Sequence, residues 1–516
     1  MAAPALTADV TSPRARAVVS AVVTTAALLV LVMLVLWPLA AVVVTGVADL
    51  ARVGLAPLGA LRRTLELAAA STAITVLLGL AVAYASLRAT VPGGALTARL
   101  LLLALVLPPF LPALALGVVT AEMAPAVRFP ALVLSQVLAF LPVTSLILGH
   151  ALAAVDVDQE DAAESLGAGR LAIFTRITLA QMRSGLATAA TGTFLLCAAD
   201  LVNPLMIGGG HVVLSVETYL RAVRAGDLGA GVATALWLLA PCLAAAALGG
   251  WRAGAVFTTP AARRRPQRFT PASVAVPLTV VTALVALALV TVWAIVISAA
   301  LVPAWTVDWT PLGASLVLAA AASVLGTVLA LIVAGLVGRR PAPGVALLER
   351  VGLLPAAVPG LVLGLGYLLA YARPPIDLGT TLWVVVPAVV AARLPVALAA
   401  AVAAVRQVNP DVAAAALGLG AGRRRVFSRV VAPVLGPAAA SILVYFFVRT
   451  LVAVSVVAAL FGSRDRVAAL TAVTDAAAGR VGDACALAAA LSLVVVVVVA
   501  LRRTLPGRSL TAVWFL

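Results

Sequence analysis

Twelve apolar runs, each long enough to cross a bilayer, decide what this chain can fold into. A helix needs roughly 20 apolar residues to span the hydrocarbon core, where backbone N–H and C=O groups must find their partners inside the segment. The runs lie near 18–46, 64–87, 100–121, 130–154, 184–207, 229–250, 273–302, 314–338, 351–372, 381–405, 435–460 and 483–501. Of the 516 residues 64% are hydrophobic and 10% charged, and the mean hydropathy of +1.18 lies far outside the range of soluble domains. The expected fold is an all-α polytopic membrane protein with about twelve transmembrane helices.

The net charge of +16 invites a nucleic-acid reading, but the placement of the basic residues argues against it. All 35 are arginine and none is lysine. With the N-terminus inside, the arginines concentrate in segments that fall on the cytoplasmic side, which is the positive-inside pattern. Arg263, Arg264, Arg265 and Arg268 lie between the sixth and seventh runs, Arg339 and Arg340 after the eighth, and Arg502 and Arg503 after the twelfth. Both termini are therefore expected in the cytoplasm. The first apolar run, preceded by Arg14 and Arg16, is too long for the core of a cleaved signal peptide and reads as a retained span. Cys197, Cys242 and Cys485 fall within predicted spans without metal-ligand spacing, and read as small buried apolar residues.

The chain repeats itself at a spacing of about 250 residues. LPPFLPALALG, Leu107 to Gly117, returns as LPAAVPGLVLG, Leu354 to Gly364, at an offset of 247. TLELAAAS from Thr64 is matched by SLVLAAAA from Ser315, and LPVT from Leu141 by LPVA from Leu394. The order of features is the same in both parts, giving two homologous six-helix halves at 1–260 and 271–516 joined by a cytoplasmic linker at 261–270. An even number of spans returns the second half in the same orientation, so the halves can flank a pathway about a pseudo-two-fold axis along the membrane normal. Pro108, Pro112, Pro355 and Pro359 fall inside the third spans, where they are expected to kink the helix and free carbonyls.

The most polar repeat is EDAAESLGAGRLAIFTRITLA, Glu160 to Ala180, which aligns with AAAALGLGAGRRRVFSRVVAP, Ala413 to Pro433, at an offset of 253. Both copies follow a fourth span and fall in the cytoplasm. Asp161 to Leu166 reads as a short helix capped by Asp158 and ended or bent at Gly167. Leu171, Phe174 and Ile177 then form an apolar stripe, while Arg170 and Arg176 face polar surroundings. An interfacial helix lying on the membrane would show the same pattern once. Its recurrence at matched positions favours a pair of docking surfaces for a partner.

These segments resemble the EAA loops of permease subunits in binding-protein-dependent ABC importers, whose pattern is Glu-Ala-Ala, three residues, Gly, nine residues, Ile-x-Leu-Pro. In the first loop, 156–180, Asp161, Ala162, Ala163, Gly167, Ile177 and Leu179 fall on the pattern, with Asp for Glu and Ala180 for the proline. In the second, 409–433, Ala414 replaces the acid, while Ala415, Ala416, Gly420 and Pro433 fit. The resemblance implies the type I importer fold and an ABC ATPase dimer docked on the cytoplasmic face through these segments. The implied coupling residues are Asp161, Ala162, Ala163, Gly167, Gly169 and Arg170 with Ala415, Ala416, Gly420, Gly422 and Arg423; no charged contact is expected at Ala414. The stretches Asp200 to Val223 and Phe447 to Gly462 are similar to fused permeases of the iron(III) type, whose relatives also serve thiamine, polyamines and aminoethylphosphonate. An extracytoplasmic binding protein that selects the cargo, a plasma-membrane location and ferric iron as cargo are the implied setting.

Without lysine, no standard P-loop can be built, so the energy must come from another subunit or an ion gradient. ATP and Mg²⁺ are therefore expected on a partner ATPase, with no cofactor on this chain and no catalytic residues. The glycine clusters from Gly364 and Gly418 lack the strand-then-helix context of a phosphate loop. A secondary transporter would need acidic or histidine relays within its spans. Only Glu66, Asp200, Arg393 and Arg449 qualify, with His150 at a boundary. Asp200 and Arg449 sit at similar depths and either pair or flank the pathway; Asn203 and Ser455 join them as pathway candidates, and Arg393 is expected to reach a carbonyl freed by Pro395. His211, Glu217 and Tyr219 offer oxygen and nitrogen donors but read as polar surface rather than a metal site.

Overall fold

The computed structural model describes residues 13–120, 125–249, 270–301, 306–338, 344–372, 374, 376–379, 381–461 and 467–504. The expected linker, but for Thr270, and the arginines at 263–265, 268, 339 and 340 lie outside the described residues. The described residues form helices and no β-strand. The chain opens with α1 (Pro13–Leu31) and α2 (Trp37–Val53), fused through a π-helical turn at Val32–Leu36. There follow α3 (Leu58–Leu87), α4 (Gly94–Val106), α5 (Leu111–Thr120), α6 (Pro125–Ala153), α7 (Val157–Ser165), α8 (Arg170–Ile173), α9 (Leu179–Ala198), α10 (Val202–Ile207), α11 (Leu214–Tyr219) and α12 (Leu228–Leu248). A second series comprises α13 (Ala272–Ala299), α14 (Thr310–Val337), α15 (Val345–Leu353), α16 (Gly360–Tyr371), α17 (Leu382–Arg406), α18 (Pro410–Gly418), α19 (Arg423–Val426), α20 (Ala432–Leu451), α21 (Ser455–Phe461), α22 (Ala468–Ala477) and α23 (Val481–Thr504). From α7 onward the two series keep one offset: α7 and α18, α8 and α19, α9 and α20 each begin 253 residues apart.

Among the described residues nine helices are long and apolar enough to cross a membrane, or eleven if each of two bent pairs counts as one span. The bent pairs are the third spans. α4 and α5 meet at 96°, and α15 with its 3₁₀ extension meets α16 at 113°. The prolines therefore break these helices where a kink was expected. Leu107 is extended between α4 and α5, and Val358 is extended before Pro359, which sits at the N-cap of α16; proline forces its predecessor out of the helical region and supplies no N–H. The expected fifth span, 184–207, is divided at Ala199–Leu201 and falls outside the nine. α9 carries Gln181, Arg183, Ser184, Thr188, Thr191 and Thr193, and Thr193 meets Thr144 of α6 hydroxyl to hydroxyl at 2.6 Å.

Each series lends its opening helix to the other. α2 lies against α12 of its own series and α16 of the second, while α13 lies against α3, α4 and α5. The hydroxyls of Tyr367 and Tyr371 donate to the carbonyls of Leu34 (2.6 Å) and Met33 (2.5 Å), both in the π-helical turn. A π turn widens the ladder, so such carbonyls can accept from outside the helix. Gly366 lets the backbones approach closely; a Cβ there would sit 2.5 Å from the Pro38 carbonyl oxygen. On the other side Thr97 donates to the Thr282 carbonyl at 3.2 Å. In lipid, helices associate through packing of small residues and buried polar contacts. Accordingly α14 buries Ala319, Ala322, Ala330 and Ala334 completely where it meets α17 and α20. One core cluster runs through both series, from Leu31 and Phe110 to Phe446 and Leu491. The three cysteines are free and buried.

Candidate functional site

The two polar repeats fold alike. α7 begins at Asp156, whose side chain accepts from the Asp158 N–H at 3.0 Å, so the cap lies two residues before the expected Asp158. α18 begins at Asn409, which accepts from the Asp411 N–H at 2.8 Å. Each helix closes through a paired turn: Ala168 N–H donates to Ala163 C=O (3.0 Å) and Ala421 N–H to Ala416 C=O (3.1 Å). That closure needs a left-handed residue, and Gly167 (φ 83°) and Gly420 (φ 82°) supply it with open space around both. Just before each glycine stands a leucine, Leu166 and Leu419, each 89% exposed. With Leu171 beyond the first tip and Leu417 before the second also exposed, each tip leaves apolar area that a partner could bury. The leucine repeats within Leu-Gly-Ala-Gly-Arg in both copies, so an apolar residue kept in the most polar stretch was the available signal.

The expected coupling residues surround these tips. Ala162, Gly167, Gly169 and Arg170 are exposed, with Asp161 and Ala163 half-buried; Ala415, Gly420 and Gly422 are exposed, with Ala416 half-buried. The Arg423 side chain lies outside the described residues.

Their attachment to the membrane helices differs. In the first copy Glu160 is buried; its carboxylate accepts from Arg88 at the foot of α3 (3.1 Å) and from the Thr178 hydroxyl (2.6 Å). Arg88 also donates to the Leu152 carbonyl at 3.1 Å, tying α3, α6 and α7 together. Phe174 packs edge-on against Tyr84 of α3. The second copy has Ala413 and Val431 at the positions of Glu160 and Thr178, and Phe427, the counterpart of Phe174, is 61% exposed. Leu171 is exposed rather than part of a packed stripe. Instead of forming a separate amphipathic piece, each post-glycine helix runs through a π-helical turn (Phe174–Thr178, Phe427–Val431) directly into α9 or α20.

Between the two series lies a cavity of about 320 Å³. Asp200, Asn203, Arg449 and Ser455 all line it, and Arg393 joins them. So do Pro355 and Pro359 at the break between α15 and α16, whereas Pro108 and Pro112 face α13. Asp200 is held by its own neighbourhood. Its carboxylate accepts from Val202 N (3.1 Å), Asn203 N (3.4 Å), Asn203 Nδ2 (2.7 Å) and Gln136 Nε2 (3.0 Å), which starts α10 and leaves little capacity for a cation. Among the described residues no ion pair joins Asp200 to Arg449, so the two flank the cavity rather than pair. Arg393 does not reach a freed carbonyl as expected; its Nε is buried without a hydrogen-bond partner.

The donors considered for a metal, His211, Glu217 and Tyr219, are already placed among partners of their own. His211 stacks on Phe129 with ring centroids 5.2 Å apart, Glu217 pairs with Arg221 at 2.5 Å, and Tyr219 is buried. Glu66 pairs with Arg62 one turn away at 3.7 Å. Among the described residues no group of three His, Cys, Asp or Glu side chains is placed to hold a metal ion.

No family model matches the chain. It aligns with the ferric transport system permease protein FbpB of Actinobacillus pleuropneumoniae at 25% identity over 395 residues, 72% of this chain and 58% of that one. It also aligns with a protein described as a ferric transport system permease in Haemophilus influenzae at 26% identity over 364 residues, 66% and 57% of the two chains. The chain is similar to ferric transport permease proteins over about two thirds or more of its own length. It spans less than two thirds of the length of these relatives.

Proposed function

We propose that this chain is the membrane permease of an ATP-driven ABC importer, passing ferric iron from an external binding protein to the cytoplasm by alternating access. The observation that carries the reading is the pair of tips at Leu166-Gly167 and Leu419-Gly420, built alike 253 residues apart. Each offers a leucine 89% exposed on a capped helix that runs, through a glycine and a π turn, into a long helix lining the central cavity. The relatives' names support ferric iron as cargo. On this reading the ATPase dimer, which holds ATP and Mg²⁺, engages Asp161 to Arg170 on one side and Ala415 to Arg423 on the other. Its closure rocks residues 1–260 against 271–516 about the cavity. The chain then has no catalytic role of its own, and both termini lie in the cytoplasm.

The test is co-purification of the full chain with its ATPase. Burying a leucine contributes about 1.5–3 kcal/mol, about tenfold or more in affinity. Leu166→Asp and Leu419→Asp should each weaken ATPase capture by about that factor while the chain still inserts and elutes as one species. Undiminished capture by the double variant would sink the reading.

A further inference from the structure

Among the described residues, the central cavity is lined by two guanidinium groups and by no carboxylate that pairs with either. Arg393 comes from α17 and Arg449 from the end of α20, so both cations belong to the second series. The corresponding places in the first series are Phe140 and Leu196, which line the cavity's other wall. Arg393 and Arg449 border the same cavity, and the Tyr445 hydroxyl, also in its lining, sits 3.5 Å from the Arg393 carbonyl. The one acid lining the cavity, Asp200, spends its oxygens on four hydrogen bonds at the start of α10. Two like charges in a weakly solvated site are unfavourable unless a counter-charge joins them, and arginine within a membrane domain marks a ligand path by default. The buried, unpartnered Nε of Arg393 is a donor still waiting for an acceptor.

We propose that this cavity binds an oxyanion, and that the cargo crosses the membrane domain as an anion or as a complex of net negative charge. The inference rests on the permease reading and names the charge class that the pathway admits. Planar guanidinium forks match carboxylate, phosphate and phosphonate oxygens, and a volume of about 320 Å³ suits a small molecule. A bare ferric ion would meet two positive groups and, among the described residues, no group of three His, Cys, Asp or Glu side chains placed to hold it. Iron on this path therefore travels with its own oxyanion ligands in excess of its charge. Polyamines and thiamine, being cations, are disfavoured by the same field.

The experiment uses the full chain in nanodiscs of uncharged lipid and measures saturable binding of radiolabelled inorganic phosphate and citrate, with spermidine as the cationic control. Wild type should bind the anions and not spermidine, less tightly as salt rises. Arg393→Gln and Arg449→Gln should each weaken binding about tenfold or more, the scale of a lost charged hydrogen bond. Arg449→Lys, which keeps the charge but not the planar fork, should weaken binding less than Arg449→Gln and controls for misfolding. Absence of saturable anion binding to wild type, equal binding by the double Gln variant, or equal binding of spermidine overturns the proposal. With ATPase and binding protein added, iron uptake unchanged in the double variant overturns the site while the importer reading stands. Arginine-dependent anion binding without ATP-driven uptake supports the site and removes the importer reading.

Discussion

Arg88 and Glu160 set how firmly the first polar segment is held. Their side chains are only 9% and 6% exposed and meet at 3.1 Å. Removing one partner of a buried pair costs about 3–5 kcal/mol, because the remaining charge loses its counter-charge in a weakly solvated place. Glu160→Ala should therefore lower the thermal stability of the purified chain and open 157–178 to protease, whereas Glu160→Gln, able to keep the Thr178 contact, should do so less. Equal melting of wild type and Glu160→Ala would contradict the assignment. Gly167 and Gly420 set the turn beyond each tip. Their left-handed backbone in open space means that any Cβ is costly, by about 1–2 kcal/mol, and an unbranched extension beyond it adds little. Gly420→Ala and Gly420→Leu should lower iron uptake per ATP hydrolysed to similar extents, with Gly420→Asn intermediate. A graded loss that follows side-chain volume would show instead that the space around the tip is occupied in the working complex.

At the scale of elements, the two segments share a tip and differ at the root. Glu160, Thr178 and the packed Phe174 fix the first, while Ala413, Val431 and the exposed Phe427 stand in the second. Limited proteolysis of the chain without its ATPase should cut 410–431 before 157–178, and added ATPase should protect both; simultaneous cutting would contradict the difference. The tips were legible in the sequence because glycine and an apolar residue in a solvated stretch are local signals. The root was not, since Arg88 lies 72 residues from Glu160 and only the fold brings them together. The third spans show the same limit. Pro108, Pro112, Pro355 and Pro359 announced irregular helices, but a kink becomes a break of 96° or 113° only because the freed backbone can border α13 or the central cavity. Likewise Asp200 and Arg449 were visible as charges within apolar runs. Whether they paired depended on Asn203 and Gln136, which take up the Asp200 carboxylate first.

For the whole molecule, the exchange of opening helices makes the two series one unit. Tyr367 and Tyr371 hold α1 and α2 to the second series, and Thr97 meets α13 from the first. Residues 1–260 and 261–516 expressed as separate chains should therefore co-purify as a pair and aggregate when made singly. Two stable, separately purified halves would contradict the exchange. The same architecture places the cavity where both halves border it and the tips on segments that lead into its walls, which is what a partner driving alternating access requires. On the proposed function the work comes from ATP through those tips, and ferric iron uptake into liposomes containing the purified chain, with and without the ATPase and binding protein, checks it. Uptake should occur only with ATP, the ATPase and the binding protein together, unaffected by collapse of ion gradients and abolished in the Leu166→Asp/Leu419→Asp variant. Gradient-driven uptake by the chain alone would contradict it.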